Sequence, residues 1–126
     1  MIEVGTSKKL KGIRGMFACE DIKKGKVVEH SPVILVPMNE YEEHIKKTVL
    51  EWYYYDWNDE YKVIVLGMGS LFNHSSKPNL KYTWGYKNRV IIYTAKRNIR
   101  KGEELFIDYM NDCKGKLDKQ FTDFKR

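Results

Sequence analysis

Apolar residues along this chain gather in short runs separated by turn residues, and few stretches keep a helical period. Met16–Cys19, Val27–Glu29, Val33–Val36, Val63–Leu66, Leu80–Trp84, Arg89–Tyr93 and Leu105–Ile107 are too short for stable helices. Most are rich in β-branched or aromatic residues, so they predict strands. Ile22-Lys23-Lys24-Gly25 and Lys101-Gly102 read as turns, and Gly85-Tyr86-Lys87-Asn88 reads as a hairpin connection. One segment departs from this pattern. Asn39 is placed to cap a helix, with Glu42 three residues on as its capping-box partner. Tyr41, Ile45, Val49 and Trp52 or Tyr53 then share one side, with Glu42, Glu43, Lys46 and Lys47 on the other. The pattern predicts a mostly β protein with little helix. Pro32, Pro37 and Pro78 fall at run boundaries, where a missing N–H does least harm.

Composition narrows the class. A length of 126 residues predicts a single domain over residues 1–126, and no repeat, linker or low-complexity tract divides it. Hydrophobic residues at 42 % against charged residues at 32 % exclude a disordered chain. No run of about 18 apolar residues exists and the N-terminus lacks a signal-peptide pattern. An intracellular protein, cytoplasmic or nuclear, away from membranes, is expected. Cys19 and Cys113 are isolated and no Cys/His cluster has metal-ligand spacing, so no metal is expected.

The net charge of +6 is unevenly spread. Residues 31–61 hold 2 basic and 7 acidic side chains, while residues 62–102 hold 9 basic and none acidic. The acidic block suits attraction of a Lys/Arg-rich peptide. The basic block reads either as a nucleic-acid footprint or as a solvated face, so direct nucleic-acid binding stays open.

Three segments carry candidate chemistry. Lys11-Gly12-Ile13-Arg14-Gly15-Met16 places glycines before a strand, where backbone can approach a ligand closely. Phe72-Asn73-His74-Ser75-Ser76-Lys77-Pro78-Asn79 is a polar loop following Gly67-Met68-Gly69. Taken alone it reads as a well-satisfied turn. Arg97 to Tyr109 contains a Lys101-Gly102 turn feeding a strand that ends in Asp108-Tyr109, and Tyr109 alone reads as a strand-end core aromatic.

In this order, the three segments resemble the SET-domain methyltransferase family. The family pattern is a Gly-x-Gly-containing first motif, then Asn-His-Ser-x-x-Pro-Asn, then Gly-Glu-Glu-Leu-x-x-x-Tyr. Arg14–Ala18, Asn73–Asn79 and Gly102–Tyr109 supply it, and Asp21–Gly25 looks like the family's turn after its first strand. The resemblance spans about residues 7–109, with residues 110–126 as a tail closing the site. It implies small β-sheets with a C-terminal pseudoknot that brings the Asn-His-Ser segment against Asp-Tyr. It implies transfer of a methyl group from S-adenosylmethionine to a protein lysine. A non-catalytic SET-like binding module is the alternative reading.

The resemblance also assigns roles. Tyr109 is expected to be catalytic. Arg14, Gly15, Met16, Tyr53, Asn73, His74 and Tyr109 are expected to hold the cofactor. Tyr82, Ile107, Tyr109 and Phe121 are expected to line the substrate-lysine channel, with Phe124 the other candidate from the tail. The implied partner is a basic protein or peptide, histone-like, and a homodimer is left open. Four features depart from the pattern. Two residues, Ile13 and Arg14, separate Gly12 from Gly15; Ser76 stands where many members have cysteine; no cysteine cluster follows Tyr109; and Ile107 replaces a Phe or Tyr often seen there. The smaller Ile107 is expected to leave room for more than one methyl addition.

Overall fold

The computed structural model describes residues 1–110. Its strands in chain order are β1 (Ile2–Thr6), β2 (Arg14–Ala18), β3 (Val27–Pro37), β4 (Tyr54–Asp56), β5 (Tyr61–Val65), β6 (Asn73–His74), β7 (Leu80–Gly85), β8 (Val90–Ala95) and β9 (Glu104–Ile107). They form a four-stranded sheet, β1-β2-β9-β6, and a five-stranded sheet, β4-β5-β3-β8-β7. Every predicted strand run has a counterpart. The hairpin between β7 and β8 turns through Tyr86–Arg89, with Arg89 at φ 54, one residue later than expected.

β3 is long enough to serve two partners. Its first half pairs with β8 (His30↔Ile92) and its second half with β5 (Val33↔Val65). Val33, Val63, Val65, Ile91 and Tyr93 are buried beneath this sheet. Burial of one such side chain contributes about 1.5–3 kcal/mol. Polar atoms inside are matched: Tyr93 donates to the Tyr55 hydroxyl at 3.0 Å, and Tyr55 donates to the Gly69 carbonyl at 2.9 Å.

The predicted helix over residues 39–53 does not form as one element. A turn of α-helix (Met38–Glu40) passes into a π-turn (Tyr41–Ile45), and a separate 3-10 helix covers Val49–Tyr53. Asn39 makes no cap; Pro37 occupies that position without a side-chain bond. The break lies at Lys46, which is extended, and Lys47, which is left-handed at φ 74. Thr48 fixes it. Its hydroxyl donates to the Ile45 carbonyl at 2.6 Å and accepts from the Leu50 amide at 3.2 Å, competing with a continuous helix. Of the predicted apolar stripe, Tyr41 is buried at 3 % exposure, whereas Val49 is exposed at 69 %.

β9 holds the two ends of the site together. It runs antiparallel to β2 (Met16↔Leu105) and parallel to β6 (Asn73↔Phe106, His74↔Ile107). The last described strand thus lies between two strands that precede it by long stretches of chain, which is the crossing the resemblance implied.

Candidate active site

β6 and β9 set Asn73 and Tyr109 within one small region. Asn73 is almost fully buried, and its Nδ2 donates to the Arg14 carbonyl at 2.9 Å and to Glu104 Oε2 at 3.0 Å. Its amide orientation is therefore set from both sides. Gly15 makes this possible, because a Cβ there would run into the Glu104 carboxylate and come within 2.9 Å of Asn73 Nδ2. Met16, the next residue, turns its side chain wholly into the core. Any role it has toward a ligand thus falls to its backbone.

Asn79 acts as a surrogate piece of strand. Its Nδ2 donates to the Glu104 carbonyl and its Oδ1 accepts from the Phe106 amide, both at 2.8 Å. One carboxamide therefore satisfies a donor and an acceptor of β9 beside the two-residue strand β6.

Tyr109 is buried, and its hydroxyl donates to the Phe72 carbonyl at 2.5 Å. Its amide donates to His74 Nδ1 at 3.0 Å, and the two rings lie 5.2 Å apart. An Nδ1 that accepts this N–H cannot carry a proton, so His74 is the neutral Nε2–H tautomer. Burial pushes its pKa below the usual histidine value, Asp108 pulls it back up, and Lys9 adds to the lowering. The Asp108 carboxylate, 3.7 Å from Nδ1, is close enough for an ion pair. The hydrogen bond to Nδ1 and the depressed pKa both favour the neutral ring instead.

Beside Tyr109, Ile107 is fully buried and Tyr82 nearly so. The Tyr82 hydroxyl donates to the Asp108 carbonyl at 3.4 Å, a long bond that sets Tyr82 against the stretch between Ile107 and Tyr109. Tyr82 also meets Tyr55 edge-on at 5.6 Å and stacks on Tyr93 at 6.0 Å. Tyr82 thus reaches the backbone between Ile107 and Tyr109. Phe121 and Phe124, expected to complete this wall, lie outside the described residues.

A pocket of about 230 Å³ opens between the first motif and the 3-10 helix, lined by Gly12, Ile13, Arg14, Tyr53 and Leu71. It unites two predicted residues 39 positions apart in sequence, Arg14 and Tyr53. Gly12 lines it despite the extra residue in the motif; at φ 79, its Cα has open space around it. The donor set suits S-adenosylmethionine. Open glycine backbone leaves room for close approach, Tyr53 offers a hydroxyl, and Asn73 is bonded to the carbonyl of a pocket residue.

The acidic block supplies exposed carboxylates at Glu40, Glu42, Glu43, Asp59 and Glu60. Glu42 pairs with Lys46 at 3.2 Å, and the half-buried Asp56 pairs with Lys62 at 2.6 Å. Among the described residues no helix is long and apolar enough to cross a membrane, and no cluster of His, Cys, Asp and Glu is placed to hold a metal. Asn79, Glu104 and Ser7 are site-shaping residues to which sequence reasoning gave no role. The first two sit inside recognised motifs, whereas nothing in the sequence distinguishes Ser7.

Two curled sheets, with β9 set between β2 and β6 and bearing Tyr109 at its exit, define the SET class of fold. The SET domain family model matches residues 13–110, and the chain belongs to that family. It is 41 % identical over 96 residues to a Schizosaccharomyces pombe histone-lysine N-methyltransferase, H3 lysine-37 specific, covering 76 % of this chain and 65 % of that protein. The chain thus spans a little under two thirds of that relative's length. The crystal structure of a candidate histone methyltransferase from Plasmodium falciparum superposes with a TM-score of 0.70 at 33 % identity, covering 86 % of this chain and 96 % of that one. A Chaetomium thermophilum Polycomb Repressive Complex 2 structure, autoinhibited and bound to S-adenosylmethionine, matches with a TM-score of 0.73 at 25 % identity. The match covers 88 % of this chain and 15 % of that one.

Proposed function

We propose that this protein is an S-adenosylmethionine-dependent protein-lysine N-methyltransferase acting on a lysine in a basic, histone-like segment. The observation that carries the reading is the joint placement of Asn73, Tyr109 and the Gly12–Arg14 pocket around β9 in a SET-family chain. S-adenosylmethionine, when bound, supplies a methyl group on a sulfonium. Arg14, Gly15 and Met16 would hold it through backbone, with Tyr53, Asn73 and His74 completing the site. The neutral His74 imidazole adds no positive charge beside that cation.

The substrate lysine must attack as a neutral amine, although a free lysine has a pKa of about 10.4. Tyr82, Ile107 and Tyr109 form an apolar wall that disfavours the ammonium by desolvation. Tyr109 orients the amine for in-line approach, and such positioning accounts for much of the acceleration. The small Ile107 leaves room for successive additions, so product carrying more than one methyl is expected. The exposed carboxylates from Glu40 to Glu60 favour a Lys/Arg-rich segment over an acidic one.

The test is transfer of labelled methyl from S-adenosylmethionine to a panel of histones and other basic proteins, with Tyr109→Phe and Asn73→Ala alongside. Label on lysine that vanishes in both variants supports the reading. Cofactor binding without transfer to any panel member would favour a non-catalytic module. Salt-sensitive DNA binding with neither cofactor binding nor transfer would favour the basic block as the working surface.

A further inference from the structure

Loop 7–13 carries one wall of the pocket at its far end, and its two ends are tied to the same pair of side chains. At the near end Ser7, only 3 % exposed, donates from Oγ to Glu104 Oε1 at 2.7 Å. The same oxygen accepts from the Leu10 amide at 3.0 Å, so one hydroxyl both anchors and folds the loop. The Ser7 amide donates to the Ile13 carbonyl at 2.8 Å, and the Ile13 amide to the Leu10 carbonyl at 3.1 Å. At the far end the Arg14 carbonyl accepts from Asn73 Nδ2, which also donates to Glu104 Oε2. The bonds close a ring: Ser7, Glu104, Asn73, Arg14, and back along the loop to Ser7.

Neither Ser7 nor Glu104 lines the pocket, whereas Gly12, Ile13 and Arg14 do. Gly12 at φ 79 has no side chain to hold its conformation, so the loop's shape rests on its end ties and on Lys9, which donates to Ser75 Oγ at 3.0 Å. The half-buried Glu104 carboxylate accepts from Ser7 on one oxygen and from Asn73 on the other. A carboxylate accepts from both, whereas a glutamine turns a donor toward one of them.

We infer that Ser7 and Glu104 are positioning residues that hold loop 7–13 in the shape that binds S-adenosylmethionine, setting cofactor affinity from outside the pocket. This rests on the functional reading above and extends it to residues that would touch neither cofactor nor substrate. When the tie is cut, the competent loop becomes a fraction of the population, and the apparent Kd rises by the reciprocal of that fraction.

The test compares wild type, Ser7→Ala and Glu104→Gln by calorimetric titration with S-adenosylmethionine, followed by steady-state kinetics. Ser7→Ala is expected to weaken binding about fivefold, the scale of one lost hydrogen bond, and to raise the cofactor KM equally with kcat at saturation held within twofold. A residue of merely structural value would lower the unfolding midpoint without that split. Glu104→Gln can accept from Asn73 only by turning its NH2 toward Ser7, whose hydroxyl then loses its acceptor, and it is expected to weaken binding about fivefold or more. Wild-type affinity in both variants overturns the inference and leaves the functional reading intact. A wild-type protein that binds no S-adenosylmethionine overturns the functional reading, and this inference with it.

Discussion

The Tyr109 hydroxyl donates to the main-chain carbonyl of Phe72, the residue just before Asn73. The final turn of the described chain is thus bonded to the start of the Asn-His-Ser segment. Tyr109→Phe removes that donor and leaves a buried carbonyl unmatched, with an expected stability loss of about 1–3 kcal/mol. Methyl transfer is expected to fall by about a hundredfold or more, the scale of losing one positioned hydroxyl in a reaction site. Denaturant melts and single-turnover transfer measure the two effects separately. A variant that loses stability but keeps its transfer rate would make Tyr109 a structural tyrosine only.

Asn79 is expected to be the costliest polar residue to remove outside the pocket. Asn79→Ala strips both the Glu104 carbonyl and the Phe106 amide of their partner. At about 1–3 kcal/mol for each buried group left unmatched, the loss reaches several kcal/mol, a large share of a small domain's stability. Urea denaturation followed by circular dichroism gives the number. Asn79→Asp keeps the acceptor for Phe106 and loses only the donor, but it also buries a charge, so it is not expected to rescue.

Glycines at two positions are required for different reasons, and alanine separates them. A Cβ on Gly69 would lie 2.5 Å from Val65 Cγ1, 2.6 Å from the Tyr93 hydroxyl and 2.7 Å from Ser31 Oγ. Gly69→Ala therefore forces core side chains apart, at about 1–3 kcal/mol. Gly25 stands at φ 89 with nothing within 4 Å, so Gly25→Ala meets only backbone strain of about 1–2 kcal/mol. Thermal melts that place Gly25→Ala well below Gly69→Ala would contradict this assignment.

The neutral His74 makes the site acid-sensitive. Its folded pKa lies below the unfolded value of about 6.5, so between those values the unfolded chain binds the extra proton. Its contribution is complete above about pH 6.5 and is lost as pH falls from there through the folded pKa. Protonation would also break the bond from the Tyr109 amide. Unfolding midpoints from pH 8 to 5 are expected to drop on the acid side, and His74→Gln is expected to flatten that drop. Equal slopes for the two proteins would remove His74 as the cause.

Much of the β content could be read from the chain, because runs such as Val63–Leu66 and Arg89–Tyr93 are short, β-branched and bounded by turn residues. The site residues were legible only through motif order. Asn73–His74 is a two-residue strand, too short to show any period. Its partner β9 is fixed by a pairing no local pattern records. The helix reading over 39–53 failed for a physical reason as well. The stripe of Tyr41, Ile45 and Val49 has the right spacing, yet Thr48 captures the Ile45 carbonyl and the Leu50 amide and stops the helix. Ser7 gave no signal because its partner Glu104 lies 97 positions away.

The position of β9 has a consequence for synthesis. The five-stranded sheet draws on residues 27–95 and can assemble as soon as they leave the ribosome. The other sheet cannot. Its first members emerge early, but the strand between β2 and β6 comes last, so both expose unpaired edges until residue 107 is made. The nascent chain therefore carries a finished half beside an open slot, and Glu104, the shared partner of Ser7 and Asn73, arrives only with β9, the last described strand.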